Sequence, residues 1–223
     1  SIPYLLEEGK DFVGQAQTGT GKTAAFGLPI LQRVDPSKGQ IQALIIAPTR
    51  ELGQQIAKHL FKYTKYLTKK VFIESVYGGE IITRQMDRLK RPTHVVVATP
   101  GRLMDLVNRK AIDLRAVNTV VLDEADEMLS MGFQPDIEKI LSYPKESTNL
   151  WMFSATMPKE IKDIIANYMD AEHESVRVDK QNVVNTLIEH QFLMCTIDNK
   201  VNMLVQFLNS QGTARGVVFC KTK

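Results

Sequence analysis

Short apolar, β-branched runs alternate along the chain with stretches whose apolar residues recur every three or four positions. The runs Asp11–Gly14, Ala43–Ala47, Val71–Val76, His94–Ala98, Thr119–Leu122, Leu150–Phe153 and Ser175–Val178 predict strands. Several are apolar at nearly every position, as a strand must be when helices cover both of its faces. Between them Lys22–Arg33, Glu51–Tyr66, Arg102–Asn108, Asp136–Leu141 and Lys159–Tyr168 read as helices. In Glu51–Tyr66 the residues Leu52, Ile56, Leu60 and Tyr63 form one apolar stripe. This alternation predicts an α/β fold of three layers, with a mostly parallel sheet between helices.

The pattern changes near residue 179. Asp179–Asn185 is polar and without period, so 179–185 reads as a linker after a first domain at 1–178. Beyond it Ile188–Cys195, Lys200–Asn209 and Gly216–Cys220 read as strand, helix and strand, making 186–223 the opening of a second α/β unit. Two strands and one helix are too little to be stable alone. This piece is therefore expected to belong to a truncated domain or to dock on something else.

Composition narrows the class only a little. Of 223 residues, 43% are hydrophobic and 24% charged, ordinary for a soluble globular protein. No apolar run is long enough to span a membrane, and no basic-then-apolar segment opens the chain, so the cytoplasm is the default expectation. Cys195 and Cys220 lie in separate apolar segments with no CxxC pair, which predicts two buried free thiols in a reducing compartment. His59, His94, His173 and His190 are scattered and share no metal-ligand spacing. A net charge of +3 is compatible with a polyanionic partner but establishes none.

Two segments carry chemistry. Ala16-Gln17-Thr18-Gly19-Thr20-Gly21-Lys22-Thr23 follows a strand and opens a helix, the context of a phosphate-binding loop, with Ala where the pattern has its first Gly. Gly19 and Gly21 let backbone N–H groups turn onto phosphate oxygens without a Cβ in the way. The helix N-terminus adds its dipole, Lys22 reaches the β- and γ-phosphates, and the Thr23 hydroxyl ligates Mg²⁺. A capped Gly-rich turn is the bland alternative.

The second segment, Asp123-Glu124-Ala125-Asp126, follows the buried strand Thr119–Leu122. In an open α/β sheet the carboxyl ends of the strands face the ligand crevice, the rim from which the phosphate loop also emerges. Asp123 is placed to hold Mg²⁺, and Glu124 to orient or deprotonate an attacking water. Alone, the tetrad could simply be an acidic helix N-terminus favoured by the dipole. Paired with the loop, the metal reading prevails.

Further motifs stand between and after these: Pro48-Thr49-Arg50-Glu51-Leu52, Gly78-Gly79, Thr99-Pro100-Gly101-Arg102, Ser154-Ala155-Thr156 and Val218-Phe219-Cys220. With the loop and the DEAD tetrad, in this order, the chain resembles the DEAD-box ATP-dependent RNA helicases over essentially its whole length. The resemblance implies a RecA-like P-loop NTPase domain followed by the start of a second RecA-like domain. It implies ATP and Mg²⁺ at Ala16–Thr23, with Lys22, Asp123 and Glu124 catalytic and Thr23 and Asp123 on the metal. Pro48, Thr49, Arg50, Gly78, Gly79, Thr99, Pro100, Gly101 and Arg102 would line an RNA-backbone track. Ser154 and Thr156 would bond toward Asp126 and couple nucleotide state to RNA binding.

These assignments have a physical side. Arginines supply charge-assisted bonds to phosphate, and contacts of this kind ignore base identity. Each residue taken singly also has a plainer reading: Thr49 and Thr99 as helix caps, Gly78-Gly79 as a turn, Arg50 as a solvated side chain.

The resemblance also implies an adenine-reading segment just before Ser1, and an arginine finger with further RNA contacts beyond Lys223. The 223 residues alone are then expected to bind ATP·Mg²⁺ weakly, hydrolyse it very slowly and unwind nothing. Rival readings are a GTPase or small-molecule kinase, a DNA motor, and a non-catalytic ATP-gated RNA clamp or scaffold. Asn199-Lys200-Val201-Asn202 lacks the Asp of a guanine-reading motif, and RNA is preferred over DNA on family grounds alone.

Overall fold

Within 1–178 the apolar runs form strands, and each finds a parallel neighbour. A computed structural model of the chain describes residues 1–7, 10–17, 19–145, 147–178, 191–213 and 215–220. The strands are β1 (Phe12–Gln15), β2 (Ala43–Ile46), β3 (Ile73–Val76), β4 (Val95–Ala98), β5 (Thr119–Leu122), β6 (Asn149–Ser154) and β7 (Glu174–Arg177). They make one seven-stranded sheet in the order β3-β4-β2-β5-β6-β1-β7, parallel at every pairing.

Alternation along each strand builds two cores. Leu44, Ile46, Val96, Val120, Leu122 and Met152 point to one face and pack beneath α5 (Pro100–Asn108), α6 (Ala125–Ser130), α7 (Gln134–Leu141) and α8 (Lys159–Tyr168). Ala43, Ile45, Val95, Val121, Trp151 and Phe153 point to the other, against α1 (Ile2–Leu5), α2 (Lys22–Arg33) and α3 (Arg50–Thr64). The predicted three layers are thus observed. Two elements escaped the sequence reading, α1 and α4 (Ile82–Leu89). The apolar positions of α4, namely Ile82, Met86 and Leu89, are only partly buried, and the short stripe is diluted by Arg84, Asp87 and Arg88.

Asp11, at the head of β1, is a buried carboxylate that ties distant backbone together. Its Oδ1 accepts from Leu150 N at 2.6 Å and its Oδ2 from Asp170 N at 2.8 Å. Burial pushes this carboxyl above its usual range, with those two bonds acting against the shift.

The chain divides into two compact units, Ser1–Asp179 and Lys180–Lys223. The linker expected at 179–185 lies outside the described residues. In the second unit a 3-10 turn (Ile197–Asn199) leads into α9 (Lys200–Ser210), matching the expected helix. The two strands expected there are not found: residues 191–195 and 216–220 have no strand, and 188–190 lie outside the described residues. A strand exists by pairing, and an apolar run without a hydrogen-bonded neighbour stays irregular. For the same reason Cys195 and Cys220, expected to be buried, are both exposed. No helix among the described residues is long and apolar enough to cross a membrane.

Candidate functional site

Because every strand runs the same way, all the strand-to-helix loops leave from one rim of the sheet. Strand order sorts the motifs into two groups on that rim. The phosphate loop, the acidic tetrad and Ser154-Ala155-Thr156 follow β1, β5 and β6, which are adjacent. Pro48–Leu52, Gly78-Gly79 and Thr99–Arg102 follow β2, β3 and β4, which are adjacent too.

In the first group the loop rises from β1 and enters α2 at Lys22. Gly19 and Gly21 have φ of +77° and +86°, the left-handed region that side chains avoid, and a Cβ at either would meet nothing within 4 Å. Glycine is needed at both positions for this backbone conformation. Thr20 Oγ1 donates to Gln17 O at 2.8 Å, and Ala16 N to Ser154 O at 3.0 Å. Thr18 lies outside the described residues. Thr23 is half-buried one residue into α2.

Lys22, only 9% exposed, donates its Nζ to Ala16 O at 3.3 Å and stands 3.6 Å from Asp123 Oδ1. Asp123 closes β5 and is 2% exposed. Burial pushes its carboxyl up to about 6; Lys22 opposes the shift and Glu124 adds to it. Glu124 N donates to Asp123 Oδ1 at 3.1 Å, and Glu124 itself has φ +53°, strained for a residue with a side chain. Sequence gave no sign of that strain, which sits at the residue assigned to the attacking water.

Asp126 and the Ser154-Ala155-Thr156 segment meet as expected. Asp126 Oδ2 accepts from Thr156 Oγ1 at 2.7 Å and from Thr156 N at 2.9 Å, while Asp126 N donates to Ser154 Oγ at 3.3 Å. Ser154 Oγ in turn donates to Thr156 O at 2.7 Å. Burial acts to raise the Asp126 carboxyl, yet the bonds from Thr156 outweigh it and hold the group below its ordinary range.

A buried carboxylate held against a lysine suits a cation that arrives with its own anion. Among the described residues no three His, Cys, Asp or Glu side chains cluster as a self-sufficient metal cage. Mg²⁺ does not need one, since it is commonly held by one or two protein oxygens together with phosphates and water. The residues present fit that pattern. The cavity behind the loop measures about 90 Å³, far below the several hundred Å³ of a typical ligand pocket. Larger cavities of about 520 and 590 Å³, one beside Arg115 and Lys145 and one beside Leu28 and Tyr63, include none of the motif residues.

In the second group Thr49 caps α3, accepting from Leu52 N at 3.3 Å, so its plainer reading is also true. Thr99 occupies the N-cap of α5 without a side-chain bond, and Pro100 fills the first helical turn. Gly79 has φ +83°, and a Cβ there would lie 3.4 Å from Arg50 Nη1. Gly78 and Gly101 face open space. The Arg50 guanidinium lies 4.8 Å from the Tyr77 ring centroid, and Arg102 Nη1 donates to Glu80 O at 3.0 Å. Arg50, Gly79 and Arg102 are thereby gathered around one turn. Tyr77, Glu80, Gln85 and Arg88, which organise that turn, went unnoticed in the sequence because α4 did.

A model of the DEAD/DEAH box helicase family matches residues 1–164. The chain belongs to that family. Relatives of this DEAD-box chain include the DEAD-box ATP-dependent RNA helicase CshA of Bacillus cereus, 46% identical over 223 residues, and that of Streptococcus pneumoniae, 45% identical over 223 residues. The alignments take in 100% of this chain and 42% of each relative, so the chain spans about two fifths of their length. Among solved structures, a DEAD box protein from Methanococcus jannaschii superposes with a TM-score of 0.74 at 37% identity, covering 100% of this chain and 58% of that one. A hypothetical ATP-dependent RNA helicase from Sulfolobus tokodaii gives 0.71 at 38% identity, covering 79% and 50%. The DEAD-box fold, a RecA-like parallel sheet between helices, is shared with both.

Proposed function

We propose that this DEAD-box chain is the ATP-binding lobe of an ATP-dependent RNA helicase, and that 186–223 open its second RecA-like lobe. The observation that carries the reading is the approach of Lys22 Nζ to within 3.6 Å of Asp123 Oδ1, from motifs far apart in sequence. Ala16–Thr23 hold the triphosphate. Lys22 exchanges its bonds to Asp123 and the Ala16 carbonyl for bonds to phosphate oxygens, which opens the small cavity behind the loop. Thr23 and Asp123 hold Mg²⁺, which when bound supplies a Lewis acid that neutralises charge on the phosphates. Glu124, presented on strained backbone, orients the attacking water.

Pro48, Thr49, Arg50, Gly78, Gly79, Thr99, Pro100, Gly101 and Arg102 receive the backbone of one RNA strand without reading bases. The Asp126–Ser154–Thr156 knot joins the tetrad to the loop after β6, so a shift of either is felt by the other. In the whole protein, two lobes close over ATP and RNA, bend one strand and release short duplexes or remodel ribonucleoprotein; hydrolysis reopens them. An ATP-gated, non-catalytic clamp would need Lys22 and Asp123 to hold ATP·Mg²⁺ but has no use for Glu124 at the attacking water.

Two experiments test this. The 223-residue chain should bind ATP·Mg²⁺ weakly in calorimetry and show no RNA-stimulated turnover, because an arginine finger is worth roughly 10³–10⁵ in rate and belongs to the second lobe in this reading. Robust turnover by the chain alone would contradict it. In the full-length protein Glu124→Gln should abolish hydrolysis while ATP still binds; undiminished hydrolysis would remove Glu124 from the reaction.

A further inference from the structure

The turn between β3 and α4 is built from both sides. From α4, the fully buried Gln85 donates its amide to Tyr77 O and to Glu80 Oε2, each at 2.9 Å. One turn further, Arg88 grips the same carboxylate with two bonds, Nη1 to Oε1 at 2.7 Å and Nη2 to Oε2 at 3.1 Å, and extends Nε to Glu74 Oε2 at 3.1 Å. Arg88 foremost, then Gln85, hold the Glu80 carboxyl below its ordinary range. From the opposite side, Arg102 bonds the Glu80 carbonyl and Arg50 lies over the Tyr77 ring. Gln54 Nε2 donates to the Tyr77 hydroxyl at 2.8 Å.

Stability alone does not explain this construction. Gln85 Oε1 is buried with no partner among the described residues, a cost that an apolar side chain would avoid. Partly exposed ion pairs such as Arg88–Glu80 contribute little to folding. What the network does secure is the position of four backbone residues, Tyr77 to Glu80, on which two arginines rest. A guanidinium already held in place loses less freedom when it meets phosphate.

We propose that Glu80, Gln85 and Arg88 are positioning residues for the RNA track, fixing the Tyr77–Glu80 turn and, through it, the guanidinium groups of Arg50 and Arg102. The proposal rests on the RNA-track reading above. None of the three touches RNA; each acts through the turn.

The test is fluorescence anisotropy of a labelled single-stranded oligouridylate titrated with the 223-residue chain over a range of salt. Arg102→Ala should weaken binding and lower the salt slope by about 0.7, one phosphate's worth. Arg88→Met, which keeps the aliphatic stem, and Gln85→Met should each weaken binding about fivefold, as coupled network residues do, with little change in the thermal melt. Arg88→Lys should restore only part, because an ammonium cannot form the fork. Combining Arg88→Met with Arg102→Ala should cost less than the product of the two separate losses.

Full additivity, or wild-type affinity in Arg88→Met while Arg102→Ala binds weakly, overturns the positioning role and leaves the track. So does an affinity loss matched by a drop in melting temperature. Wild-type affinity in Arg102→Ala overturns the track itself.

Discussion

The two halves of the rim handle charge in opposite ways. Around β5, β6 and β1 the decisive charges are buried: Lys22 and Asp123 face each other in a nearly water-free corner, and burial makes Asp123 resist ionisation. Around β2, β4 and β3 the charges are partly exposed and already satisfied. Arg88 is shared by Glu80 and Glu74, Arg50 lies over an aromatic ring, and Arg102 bonds a carbonyl.

A buried pair is costly and repays its desolvation only through good geometry and further partners, so it suits one compact, multiply charged ligand. A half-exposed network adds little stability but fixes spacing, which suits a long ligand met at many weak points. Variants of the buried charges in the first half should therefore change stability and its pH dependence, and variants of the arginines in the second should change salt dependence.

The largest effect expected is on the framework of the nucleotide half. Asp11→Ala leaves Leu150 N and Asp170 N without their acceptor and should cost about 2–5 kcal/mol in urea unfolding. A loss under 1 kcal/mol would mean that water replaces the carboxylate readily. Next, Lys22→Met should lower ATP·Mg²⁺ affinity about 100-fold by calorimetry, the worth of charge-assisted bonds to phosphate. The same substitution should leave oligouridylate binding to the isolated chain unchanged; a parallel loss there would erase the distinction between the halves.

Third comes pH. Asp123 is raised in the fold from 3.8 to about 6, so its contribution to stability is complete below 3.8 and lost as pH rises through about 6. Melts without nucleotide or Mg²⁺ should show wild type losing on the order of 2–3 kcal/mol relative to Asp123→Asn between pH 4 and 7. A constant difference would show that Lys22 fully offsets the burial. The smallest effect belongs to the RNA half. Thr49→Ala removes a helix cap and should cost about 1 kcal/mol in thermal unfolding, without altering the salt slope of RNA binding.

Much of this was legible in the residues. The runs that became β2, β4 and β5 are apolar at all positions but Thr119 because both faces of the sheet are covered, and that pattern located them within a residue or so. The phosphate loop and the tetrad carry their chemistry in residue type and order, which put Lys22 and Asp123 on one rim, while the pairing of Asp126 with Ser154 and Thr156 came from the family resemblance. Less legible was anything resting on a weak stripe or on a neighbour far away. Helix α4 has three partly buried apolar positions in a polar setting, and with it went Gln85 and Arg88. The apolar runs after residue 190 look like strands locally, yet the described residues there pair with nothing.

By itself the sequence determined which segments alternate, which loop can wrap a phosphate and which carboxylates stand at the end of a buried strand, since periodicity and residue chemistry are local. Only the tertiary structure decided that β5, β6 and β1 lie side by side while β2, β4 and β3 do the same. That order places two kinds of motif on two halves of one rim. Only the fold could reveal that Asp123 is desolvated, that Glu124 is strained, and that Arg50 and Arg102 lean on a single turn. Strand order, burial and backbone strain arise from contacts between residues distant in the chain, and no local pattern encodes them.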